Sequence, residues 1–149
     1  MLQRIQTIYL LISSGLISIL FFLKLSATKI DNLDVNFYLK GIYLNNEINM
    51  QTLPLIVLAI LNIIFPILII FMYKHRIKQI KNSKINVLLN ILLIVLILIY
   101  ANIFSRELFI NAVFSIGTIV PIISIITTIL AIKAIKKDEN LVRSVDRIR

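Results

Sequence analysis

Four long runs without a charged side chain divide this sequence, at about residues 5–23, 53–73, 85–104 and 108–132. Each is close to the roughly 20 residues that a helix needs to cross the apolar core of a bilayer. With 59% hydrophobic residues in 149, the chain carries more aliphatic surface than one soluble core of this size can hide. The expected fold is all-α, an integral membrane four-helix bundle in a single domain over 1–149. One charge, Arg4, precedes the first run, and Leu25 interrupts the small-x-small pattern of a cleavage site, so the first run is expected to stay as a span.

The basic residues orient such a bundle. Twelve of the sixteen fall at the N-terminus, in a basic loop over 74–84, or in a tail over 133–149. On the other side Lys24 after the first run, Lys29 and Lys40 in the segment 26–52, and Arg106 in the short turn after the third run are balanced by Asp31, Asp34, Glu47 and Glu107. The whole formal charge of +9 therefore sits on one side, which the positive-inside rule makes cytoplasmic, with both termini there. Topology and attraction to anionic lipid account for these charges, so the bilayer and not nucleic acid is the expected partner. The localisation implied is the inner, cytoplasmic membrane, multi-pass.

Within the runs no Asp, Glu, Lys, Arg or His occupies a central position, which argues against an ion-driven pump. Small and polar residues recur instead at helical spacing. Thr7, Leu11, Ser14 and Ser18 form one stripe, and Gly117, Pro121, Ser124, Thr128 and Ala131 another; such stripes let helices approach closely. Pro66 removes the amide that would pair with the Asn62 carbonyl, and Pro121 does the same to Gly117. Asn86 and Asn90 share a face at i, i+4. Asn62, Pro66, Asn86 and Asn90 are thus candidates for a polar interior, because an unpaired polar group facing lipid costs about 2–7 kcal/mol.

The outer segment 26–52 alternates at Val35, Phe37 and Leu39, with Gly41 and Asn45-Asn46 as breakers. That pattern fits two short strands or an interfacial flap, with Tyr38 and Tyr43 at headgroup level. His75 is the sole histidine and there is no cysteine. No Ser/His/Asp set, metal cluster, glycine-rich phosphate loop or carboxylate pair can be assembled. Neither an enzyme nor a cofactor nor a metal is expected.

The tail "KKDENLVRSVDRIR" reads as an amphipathic helix. Leu141, Val142, Val145 and Ile148 fall on one arc, with Glu139, Arg143, Asp146 and Arg147 opposite. Interspersed acids favour docking on protein over simple membrane anchoring, so Leu141, Val142, Arg143, Val145, Asp146, Arg147 and Ile148 are candidates for binding a partner. Gln3, Arg4 and Gln6 are expected to meet Asp138 and Glu139 where both ends emerge.

The two ends, "MLQRIQTIYL" and "AIKKDENLVRSVDRIR", resemble a domain-of-unknown-function family of small four-span membrane proteins from Bacteroidota. The resemblance implies an inner-membrane protein and supplies no catalytic residues. Two functions fit: a non-catalytic membrane subunit or scaffold presenting a cytoplasmic helix to a partner protein, or a small permease or lipid-handling protein with a polar interior. Whether it forms a homo-oligomer is left open.

Overall fold

The computed structural model describes residues 5–30, 33–44, 47–73, 75–107 and 113–146. It is mainly helical, with α1 (Ile5–Ile19), α2 (Leu53–Phe71), α3 (Arg76–Glu107) and α4 (Val120–Asp146). The all-α expectation needs correcting, because four strands stand between α1 and α2: β1 (Lys24–Ile30), β2 (Leu33–Tyr38), β3 (Gly41–Leu44) and β4 (Glu47–Gln51). They form an antiparallel meander in the order β1-β2-β3-β4, where two strands at most were expected.

The alternation in β2 explains why this segment is a sheet. Val35 and Phe37, then Leu39 at the hairpin tip, point to one face and are buried, joined by Ile42 of β3. Burying each is worth about 1.5–3 kcal/mol, enough to hold a sheet against the helix ends. On the strands' other face the rings of Tyr38 and Tyr43 meet edge to face at 5.5 Å. Gly41, φ 157°, closes the two-residue Leu39–Lys40 turn, and a Cβ there would come within 2.6 Å of the Met50 carbonyl oxygen.

Three helical stretches are long and apolar enough to cross a membrane: Leu53–Phe71, Arg76–Ile103 and Ile116–Leu141. The expected boundaries shift in three places. Helix α1 is shorter, 15 residues, because the amides of Leu20, Phe21 and Phe22 turn back to Ile17, Ser18 and Ile19 and the chain passes straight into β1. Helix α3 begins at Arg76, so most of the basic loop is helical. The fourth run is not one helix: residues 113–115 are extended, Ile116–Ile119 is a 3₁₀ turn, and α4 starts at Val120.

The helices pack as a ring, α1 on α2, α2 on α3, α3 on α4 and α4 back on α1. One end of the ring is capped by the sheet; the other carries the exposed lysines 78, 81, 84, 133, 136 and 137. These are called here the sheet end and the basic end. The main core lies toward the sheet end and joins Ile17, Leu20, Leu55, Leu58, Leu93 and Ile97 to Leu25, Phe37, Leu39 and Ile42. Outward faces of the helices are aliphatic, with Leu53, Val57, Leu61, Leu88, Ile91 and Ile126 among the exposed side chains.

Candidate functional site

Each helix contributes to a layer of hydrogen-bonding side chains midway along the ring. From α1 come Ser13 and Ser14, from α2 Asn62, from α3 Asn86 and Asn90, and from α4 Ser124 and Thr128, all buried. The hydroxyl oxygens of Ser13 and Ser124 are 2.8 Å apart, and Ser13 also meets Thr128 at 3.0 Å. Asn86 donates to Thr128 Oγ1 at 3.3 Å. Ser14 donates to the Ile63 carbonyl at 3.0 Å, tying α1 to α2. Asn62 donates to its own helix at Leu58, 2.9 Å, and across to the Leu89 carbonyl of α3, 3.3 Å, next to Asn90.

Ser13 joins two of these contacts and is absent from the stripe read in the sequence. That stripe stepped from Thr7 to Leu11, whereas the inward face runs Gln6, Thr7, Leu10, Ser13, Ser14 and Ile17, and Leu11 is 46% exposed. Ser18 is half-buried and bonds back to the Ser14 carbonyl at 3.0 Å, within its own helix. Two further polar residues of α3 also went unread: Gln79 and Ser83 are buried and continue the Asn86–Asn90 face toward the basic end.

The two prolines and Gly117 divide differently. Pro66 lies buried inside α2, which runs unbroken past it. Pro121 is at the first turn of α4, where an amide has no helical partner to lose, and the Gly117 carbonyl that it was expected to orphan accepts the Val120 amide. Gly117 itself is in the 3₁₀ turn and not on a helix seam. A methyl there would overlap the Lys24 carbonyl, so this glycine permits the close approach of β1. The same junction is held by Ser115 N to Leu25 O at 2.9 Å, Ser26 Oγ to Val113 O at 2.8 Å and Thr118 Oγ1 to Leu25 O at 2.8 Å.

At the basic end Arg76 of α3 grips α4. Its guanidinium donates to the Asp138 carbonyl at 2.9 Å and lies 3.9 Å from the Asp138 carboxylate and 4.0 Å from that of Glu139. Gln6 is buried, while Gln3 and Arg4 lie outside the described residues. Past this grip α4 continues to Asp146. Leu141 is 57% exposed and lines an open groove of about 440 Å³ with Lys133, Lys136, Lys137 and Asn140. Val142, Arg143, Val145 and Asp146 belong to α4; Arg147 and Ile148 lie outside the described residues. Among the described residues no group of three or more His, Cys, Asp or Glu could hold a metal ion.

No curated protein matches the chain. No solved structure matches it either. A family described as Domain of unknown function (DUF4293) matches residues 2–148, and with nearly all of its length so covered the chain belongs to that family.

Proposed function

We propose that this protein is a multi-pass membrane protein with both termini in the cytoplasm, acting as a non-catalytic subunit or scaffold that holds out its last helix to a partner protein. The observation that carries this reading is that α4 runs without a break from the bundle to Asp146 and is gripped by Arg76 just before its exposed Leu141. A helix fixed on its inner side, with Leu141 exposed beyond the grip, can dock without first being ordered, which lowers the entropic cost of association. The aliphatic outer surface of the ring and the cluster of exposed lysines 78, 81, 84, 133, 136 and 137 at one end support the membrane placement and its direction.

Removing residues 141–149 tests the reading. Crosslinking and recovery from native membranes should lose the partner while the truncated bundle still inserts. If every partner of the full chain is retained, the scaffold role fails. Placement is tested separately, since the chain has no cysteine: a cysteine at the exposed position 40 should react with an impermeant maleimide in intact cells, and one at the exposed position 81 should not. The reverse pattern would invert the topology.

The alternative, a permease or lipid-handling protein, draws on the polar layer. That layer stops below the apolar core of the sheet end, so it offers no continuous polar path through the ring.

A further inference from the structure

Arg76 and Asn86 set the register of α3 against α4. Arg76 bonds to the Asp138 carbonyl and Asn86 to Thr128, so in this antiparallel pair Lys81 lies level with Lys133, Lys78 with Lys136 and Leu88 with Ile126. The flanks are fixed as well. Asn82 of α3 reaches Met72 of α2 at 3.0 Å, and Lys84 is about 200° round from it, on the flank toward α4. Lys81, Leu88 and Ile91 share that stripe at helical spacing. On α4, Ser124 faces α1, and Lys133 and Lys136 are about 180° and 120° round from it, on the outer flank toward α3. Ile129 and Ile126 continue their stripe.

These side chains are all exposed, and they give the outer seam between α3 and α4 two parts. Toward the basic end, Lys81 and Lys84 stand beside Lys133 and Lys136. The carboxylates of Asp138 and Glu139 are drawn instead to Arg76, and no acid is interleaved on either stripe. Further in, both stripes turn aliphatic at the same depth, with Leu88 and Ile91 on α3 and Ile129 and Ile126 on α4. From Lys84 to Val95, exposed further along the α3 stripe, the seam runs about 16 Å at 1.5 Å per residue, close to the ~15 Å half-thickness of a bilayer's hydrocarbon core. Helix α2 differs: it carries no cation, and at the same end it exposes Leu68 and Phe71.

We infer that this seam is a binding site for an anionic phospholipid, its phosphate held by Lys81, Lys84, Lys133 and Lys136 and one acyl chain laid along Leu88 and Ile91 of α3 and Ile126 and Ile129 of α4. Charge selects the headgroup, because cations gathered from two helices favour an anionic lipid over a zwitterionic one. The aliphatic stretch selects a lipid over free phosphate, which has no hydrocarbon to lay there. The open groove that Lys133 and Lys136 line leaves room for the headgroup. The site rests on the membrane placement proposed above and not on the scaffold role.

The chain has no tryptophan, so single reporters in vesicles test the site. Leu88→Trp reports on the seam and Ile64→Trp on the exposed face of α2, at nearly the same depth by the Asn62–Leu89 contact. Quenching by brominated phosphatidylglycerol is compared with quenching by brominated phosphatidylcholine. At the Leu88→Trp reporter the anionic lipid should be preferred by about fivefold, and at the Ile64→Trp reporter the two lipids should quench alike. Adding Lys81→Gln, Lys84→Gln, Lys133→Gln and Lys136→Gln should bring the seam reporter to parity. Lys84→Gln alone, a change of one exposed side chain, should lower the preference about twofold. No preference at either reporter, an equal preference at both, or a preference that survives the four substitutions overturns the site. Absence of quenching at both reporters by either lipid overturns the membrane placement, and the lipid site with it.

Discussion

Ser13 on α1 and Ser124 on α4 meet hydroxyl to hydroxyl, 2.8 Å apart, at the seam that closes the helical ring. Both are small enough for the backbones to come near, and each is both donor and acceptor. On the membrane placement proposed above, Ser13→Ala should therefore lower stability by about 0.6 kcal/mol, the average for a hydrogen bond between helices in membranes, and by no more than about 1.7 kcal/mol. Ser13→Leu should cost more, because the seam has no room for the added volume. Thermal unfolding in detergent, followed by helical circular dichroism, reads both. A Ser13→Leu variant as stable as the parent would mean that α1 and α4 do not pack there.

Two glycines should respond in opposite ways. At Gly117 an added methyl overlaps the Lys24 backbone carbonyl, which cannot swing aside as a side chain would, so Gly117→Ala should destabilise by about 1–3 kcal/mol. At Gly15, within α1, the methyl meets nothing within 4 Å. Gly15→Ala should stabilise by about 0.5–1 kcal/mol through the loss of unfolded-state freedom. The same unfolding measurement compares them, and equal effects would refute the close approach at Gly117.

Thr52 precedes α2 as its N-cap but makes no side-chain cap hydrogen bond. Its hydroxyl is given instead to the Leu39 carbonyl at 2.7 Å, joining the hairpin tip to the start of the helix. Thr52→Val keeps the shape and leaves that carbonyl unmet, at a cost of about 1–3 kcal/mol, whereas Thr52→Ser should be close to neutral. Faster amide exchange in β2 and β3 of Thr52→Val is the specific readout; unchanged exchange would show the bond to be idle.

Arg76 acts on position more than on stability. Its ion pairs are partly exposed, with Asp138 38% accessible, and such pairs contribute about 0–1 kcal/mol. Arg76→Ala should leave the unfolding midpoint nearly unchanged while a spin label at position 141 becomes more mobile. Arg76→Lys should restore little, since an ammonium cannot span the carbonyl and two carboxylates as a guanidinium does. An immobile label in Arg76→Ala would show that α4 is held by something else.

What could be read from the sequence follows from how local each signal is. Uncharged runs give the helices because hydropathy is summed within one element, and Ser124 and Thr128 share a face because i, i+4 always do. Ser13 escaped because steps of three and of four residues are equally good from Thr7, and only the position of α4 decides between them. Gln79 and Ser83 were hidden among lysines: a charged stretch reads as a loop until it is known that Lys78, Lys81 and Lys84 point outward. Arg76 reaches a carbonyl 62 residues away, a pairing that belongs to the ring and not to any stretch of sequence. The sheet was half visible, because β2 alternates cleanly while β1, "KLSATKI", does not.

The ring has a consequence for how the chain is made. Ribosomes deliver the helices in order, and α4, which touches both α1 and α3, arrives last. Until then Ser13 and Asn86, whose partners Ser124 and Thr128 lie on α4, belong to a three-sided trough with its hydroxyl and amide groups turned to lipid. On the membrane placement proposed above, a nascent chain stalled before residue 120 would display that trough to the insertion machinery and to membrane proteases. Arrival of the fourth helix removes the mark, so closure of the ring and escape from quality control would be the same event.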